Sequence, residues 1–321
     1  MIRFFVEYRL TWLISAPLLV LIFNALNLVT GAYSISPIID LGLLGTIEIA
    51  QEYSVLFSSL LILLNGFNIT RIYNENDFFD KNIYSSGFLY LVLMSFYHSF
   101  YHLNTLLIFQ SLLIIVVREI LLIQQQEGDQ KHVFNGAFLL GVSACIHPSS
   151  VLYFPVFLVA IWSLKSFQTK DFLLIIVGVF LPFVYVGSYY FLNDKIIIID
   201  LLSSPTKWKI IVFDMLFTLI NSSFLFIIAL VSFRSSAIKS TLRLRKMMLP
   251  LILFFAVGLA LGLYDFIFFF QMDRLLLVLV ALPYFLNYAF INRTYTLFAG
   301  ILFIMALGYS FIKFFTVLPH S

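Results

Sequence analysis

From Val133 to Leu164 the chain runs for 32 residues without Asp, Glu, Lys or Arg, and apolar runs of span length recur from end to end. As one helix that run would measure about 48 Å, against a bilayer core of about 30 Å. It is long for one span and short for two, and near its middle stands His147-Pro148-Ser149-Ser150. A span must satisfy its backbone hydrogen bonds within itself, which leaves helices and closed barrels. Barrel strands alternate polar and apolar residues, and these runs do not. An all-α polytopic bundle follows, one integral membrane domain over residues 1–321. Charged residues make up only 11% of the chain, so no stretch remains for a sizeable soluble domain. The single cysteine, Cys145, excludes an internal disulfide.

Apolar runs read against turn signals predict eleven spans, near 11–30, 53–69, 84–100, 104–123, 131–146, 148–164, 172–192, 211–232, 248–268, 274–290 and 295–315. Arg3 and Arg9 precede the first span and predict a cytoplasmic N-terminus and a periplasmic C-terminus. This arrangement places 14 of the 19 Lys and Arg residues inside. Treating Val133–Leu164 as one tilted helix flips every later segment and lowers the inside share to 11. His147-Pro148 is therefore expected to be a tight hairpin at the outer face, with Pro148 opening the second helix, where its missing N–H costs nothing. In the first outer loop, Ser36-Pro37 reads as a helix start, and part of the loop should lie on the membrane surface.

Ionisable groups near a membrane are functional candidates. Asp40, Glu48 and Glu52 in the first outer loop could act as a general base on an incoming hydroxyl, or be solvated loop charges. Asp194, Asp200, Asp265 and Asp273 share that side. His98 and His102 lie four apart, on one face if the helix persists. With His147 they form a possible divalent-metal set, or an interfacial set of amphipathic rings beside Tyr97 and Tyr101; no other cofactor is implied. Asp214, Thr218 and Asn221 make a polar stripe that should face protein. No phosphate-binding glycine loop, nucleophile elbow, CxxC or nucleic-acid module occurs. Membrane lipid is the implied partner, above all at the basic run ending at Lys246.

The segment "LLILLNGFNITRIYNENDFFDKNIYSSGFLYLVLM", with "LNTLLIFQSLLIIVVREIL", "FNGAFLLGVSACIHPSS" and "SFQTKDFLLIIVGVFLPF", resembles an uncharacterised family of Gram-negative inner-membrane proteins over the first two thirds of the chain. The long first outer loop and the mid-chain hairpin "GAFLLGVSACIHP" are also similar to the GT-C glycosyltransferases. That second resemblance implies an inner-membrane enzyme of the cell envelope. It would take sugar from a polyprenyl-phosphate donor at the periplasmic face. Asp40 would be the base, Glu48 or Glu52 its substitute, and His102, His147 and Arg274 would hold phosphate or acceptor. Asp214 would join the substrate-binding set. The family's loop often carries two adjacent acids, whereas Asp40 stands alone here. The other expectations are a non-catalytic scaffold subunit of an envelope complex, with membrane-protein partners, and a transporter. A transporter would call for charge near mid-membrane and broken helices.

Overall fold

The computed structural model describes residues 9–31, 33, 38–79, 82–123, 129–165, 168–193, 212–237, 242–269, 273–291 and 296–316; the side chains of 9, 10, 212–219, 222, 234–237, 242, 243 and 291 lie outside that description. It is mostly helical. Helix α1 (Arg9–Thr30) leads into a short hairpin, β1 (Ile38–Asp40) and β2 (Thr46–Glu48), and then into α2 (Gln51–Glu75) and α3 (Ser85–Met94). There follow α4 (Thr105–Leu122), α5 (Asp129–Ile146), α6 (Tyr153–Leu164) and α7 (Thr169–Leu192). The remainder comprises α8 (Val212–Ala237), α9 (Leu242–Phe269), a 3-10 segment Asp273–Val280, α10 (Leu282–Ile291) and α11 (Thr296–Thr316).

Six described helices are long and apolar enough to cross a membrane: α1, α2, α4, α7, α9 and α11. The segments Asp273–Val280 and Leu282–Phe290 would make a seventh if counted as one span bent by 61°. The run 211–232 forms one helix of 26 residues, α8, whereas the runs 84–100, 131–146, 148–164 and 274–290 differ from uniform spans for identifiable reasons. The run 84–100 is helical only to Met94. Ten residues rise about 15 Å, half of a bilayer core, and every residue of α3 is buried. The connection after it is folded back into the bundle, where the Ser95 carbonyl accepts from the Tyr101 hydroxyl at 2.8 Å. Asn104 then caps α4 by accepting from the Leu107 N–H at 2.9 Å. The run 131–146 is helical but begins with the polar Asp129-Gln130-Lys131-His132. In 274–290, Pro283 has no N–H and its ring crowds the carbonyl four residues back, so an α-helix cannot continue upstream. The chain instead makes 3-10 bonds, Ala281 N–H to Val278 O at 3.2 Å and Tyr284 N–H to Ala281 O at 3.1 Å.

That 3-10 segment is buried, and its backbone groups need partners within the protein. Gly258 and Gly262, four apart on α9, let that helix approach it closely. A Cβ at Gly258 would stand 3.0 Å from the Leu277 carbonyl carbon, and one at Gly262 would stand 2.8 Å from the Leu275 side chain. On the other side, the Gln110 amide of α4 donates to the Leu276 carbonyl at 2.8 Å. Gln110 accepts in turn from the Tyr90 hydroxyl, and Asn65 donates to both Tyr90 and Ser111. This network ties α2, α3 and α4 to the 3-10 segment. The α5–α7 crossing also uses small residues, Ala137, Gly141 and Gly178, in the small-xxx-small manner of membrane helices. Outward faces are apolar: Leu21 is 70% exposed, Trp162 75% and Phe315 75%.

The His147-Pro148 break is real. Helix α5 stops at Ile146, His147 is extended at φ −140°, ψ 115°, and Pro148 is the first residue of a 3-10 turn that runs into α6. The helix start expected at Ser36-Pro37 lies outside the described residues; the first residue after them, Ile38, opens a strand. The strand alternates. Ile39 is buried, while Ile38 and Asp40 on either side of it are exposed.

Candidate functional site

Helix order brings the 38–48 hairpin, the 95–104 connection, the His147 turn, the start of the 3-10 segment and the end of α11 to one end of the bundle. Direct contacts hold them there. The Thr105 hydroxyl donates to the Asp40 carbonyl. The Ser54 hydroxyl accepts from the Leu103 N–H at 2.9 Å. Gly42 seats the hairpin's turn on the last carbonyls of α5. It adopts φ +60°, and a Cβ there would lie 2.5 Å from the Ile146 oxygen. Only glycine meets both demands without strain.

The hairpin presents its acids outward. Its register pairs Asp40 with Thr46 and Ile38 with Glu48, so all four share one face. Asp40, Glu48 and Glu52 are exposed. Asp40 Oδ1 accepts from its own turn, from the Gly42 N–H at 3.0 Å, as Asp does in an Asx-turn.

Below the hairpin lies a buried charged set. Arg274 donates to Asp265 Oδ1 at 3.0 Å, with side chains 4% and 0% exposed. His147 sits within electrostatic reach of Arg274. Its ring stacks on Phe109 at 5.3 Å with a 2° interplanar angle, and its Nδ1 accepts from the Ser149 N–H at 3.3 Å. That bond leaves the proton on Nε2. Burial, and after it the Arg274 charge, holds His147 down at about 3, so the ring is neutral. Asp273 lies within electrostatic reach of Asp265 and Arg274, and Tyr97 within reach of Asp273.

His102 and His98 form a separate group, near one another rather than beside His147. The expected helical face is absent, because α3 has ended and His98–Phe100 is a 3-10 turn. Burial first, then His102 and Lys313, lowers His98 to about 4. Burial lowers His102 to about 4 against a hydrogen bond to the His98 backbone. Among the described residues no three of His, Cys, Asp and Glu lie close enough together to hold a metal ion. Asp214 and Thr218 lie on α8 where side chains are outside the described set; Asp194 and Asp200 lie outside it entirely. Asn221 of the same stripe does reach protein, donating to the Leu302 carbonyl at 3.3 Å.

Lys313 carries no weight in the sequence, and the fold makes it conspicuous. It is fully buried, donates to the Ser95 carbonyl, and has Phe96, Tyr33, Phe314 and Tyr101 around its ammonium at 4.6, 4.9, 5.1 and 5.4 Å. Such cages suit a cation. Only the abundance of aromatics near position 100 hints at it in the sequence.

Comparison with protein families, with curated proteins and with solved structures finds no match for this chain.

Proposed function

We propose that this chain is an eleven-span, GT-C-like protein of the bacterial inner membrane that serves as a non-catalytic body of a cell-envelope complex. One observation carries the reading: the groups that a transferase would turn toward substrate are engaged with the protein's own core. The Arg274 guanidinium bonds Asp265, and His147 lies flat on Phe109 with its Nδ1 occupied by Ser149. The acids that remain accessible, Asp40, Glu48 and Glu52, stand on an exposed hairpin face and the first turn of α2. A face of that kind suits a partner protein at the membrane surface.

A second reading, a transferase using a polyprenyl-phosphate-linked sugar with Asp40 as base, is favoured by the seating of the Gly42 turn on the end of α5, next to His147. One experiment separates the two. Asp40→Asn, Glu48→Gln and Glu52→Gln are combined, and the variant is tested for rescue of a deletion strain. Full rescue supports the scaffold. A folded, inserted variant that fails to rescue while still co-purifying with the wild type's partner proteins supports the transferase; failure with loss of those partners supports the scaffold. The topology is tested in a Cys145→Ser background. A cysteine at Glu48, which is exposed, should react with an impermeant thiol reagent in intact cells, and one at Lys246, also exposed, should not. Labelling at Lys246 would sink the eleven-span arrangement.

A further inference from the structure

The opposite end of the bundle holds an open cleft of about 480 Å³ between the start of α1 and the last turns of α2. We infer that this cleft binds the headgroup of an anionic phospholipid, with one acyl chain leaving along α1. Charge is the first reason. Arg71 and Arg118 converge on a single carboxylate, Glu75, at 2.5 and 3.6 Å. Arg71 and Glu75 line the cleft, and Arg118 stands behind Glu75, outside the lining; the three together leave a net positive charge at the cleft.

The second reason is donor supply. Arg71 uses only Nε on Glu75, so its two terminal nitrogens have no partner among the described residues. Asn74 lines the cleft and uses its Oδ1 to accept from the Ile83 N–H at 2.8 Å, which leaves its amide N–H groups unpartnered there. Asn82 also lines the cleft and has no hydrogen-bond partner among the described residues. Donors of this kind, guanidinium and amide, match the oxygens of a phosphodiester.

The third reason selects a lipid over a soluble phosphate. The cleft's other wall is aromatic, with Trp12 set edge-on to Phe67 at 5.5 Å. It continues onto the outward face of α1, where Leu13 is 42% and Ile14 66% exposed. Trp12 begins the α1 span and Arg71 lies near the end of the α2 span, which is the level at which headgroups and interfacial aromatics meet.

The test uses the full chain, reconstituted in equal phosphatidylglycerol and phosphatidylcholine, released into detergent and weighed with its retained lipid by native mass spectrometry. Wild type should retain phosphatidylglycerol over phosphatidylcholine by about tenfold. Arg71→Gln should bring the ratio close to one with an unchanged unfolding midpoint, since that side chain is 60% exposed. Leu13→Trp, which fills the mouth, should lower the amount of lipid retained. Added inorganic phosphate should leave the lipid in place. Equal retention of both lipids by wild type means annular lipid only and overturns the inference. A preference that survives Arg71→Gln overturns it too, as does lipid retention unchanged in Leu13→Trp. Displacement by inorganic phosphate would assign the cleft to soluble phosphate instead and reject the lipid.

Discussion

The hairpin end of the molecule has two layers that the sequence presents as equals and the fold treats as opposites. The upper layer, Asp40, Glu48 and Glu52, is exposed, and the Asp40 carboxylate bonds within its own turn. The lower layer, Asp265, Arg274 and His147, is buried, and each member is held by a charged partner or by an aromatic face. An exposed acid adds little to stability. A buried pair resists separation, because removing one partner strands a charge in a medium that cannot solvate it. The layers should therefore respond very differently to substitution.

The sharpest break is Arg274→Ala. It leaves Asp265 buried with one oxygen already unpaired, and the expected loss is about 3–5 kcal/mol of unfolding free energy, read by thermal unfolding in detergent. Asp265→Asn added to it should recover part of that loss. A loss below about 1 kcal/mol would place both groups in water and erase the contrast.

Next in size is the joint between the layers. Gly42→Ala forces a side chain into a left-handed conformation and against the Ile146 carbonyl, for a cost of about 1–3 kcal/mol. The hairpin should lift from α5. Cys145, buried beneath that turn, should then react faster with a small thiol reagent, and an unchanged rate would show that the turn does not depend on its seat.

A smaller effect separates the layers by pH. His147 titrates at about 3 when folded against an ordinary 6.5. Between those values the unfolded chain binds more protons. The stability that neutral His147 contributes is thus complete above 6.5 and is lost as pH falls through the window. His147→Asn keeps a capping acceptor and removes the titration. From pH 6.5 to 5.5 wild type should lose about 1 kcal/mol more than the variant; parallel curves would refute a neutral buried His147. The smallest effect belongs to the upper layer: Asp40→Asn, Glu48→Gln and Glu52→Gln together should shift stability by less than about 0.5 kcal/mol each, by the same unfolding measurement.

How much of this is legible in the sequence depends on range. Helical membrane character rests on composition and run length, and His147-Pro148 on a local rule about proline, so both are visible there. The break at 281 is written locally too, in Pro283, but a continuous apolar run from Leu275 to Phe285 hides it. Burial of the 95–104 connection is not legible, because it depends on α3 being half a bilayer long and enclosed on every side. The pairing of Asp265 with Arg274 spans only nine residues, yet the stretch between them, "FIFFFQMD", gives no sign of a turn. The separation of the acids into an exposed layer depends on Gly42 meeting Ile146, a contact between residues about a hundred apart that no spacing rule anticipates.

The aromatic cage around Lys313 has a consequence in time. Its walls, Tyr33, Phe96 and Tyr101, belong to the first third of the chain, and its cation comes 218 residues after the Ser95 carbonyl that it bonds. At about 5–20 residues per second, the ribosome needs roughly 10 to 40 s to deliver that lysine after the cage has been made. Through that interval the Ser95 carbonyl must be served by the Tyr101 hydroxyl alone, and the ring faces have no ammonium between them. The clasp on the hairpin end therefore closes last in synthesis, and a nascent chain halted before Lys313 can carry every early wall of the cage and still be unlocked.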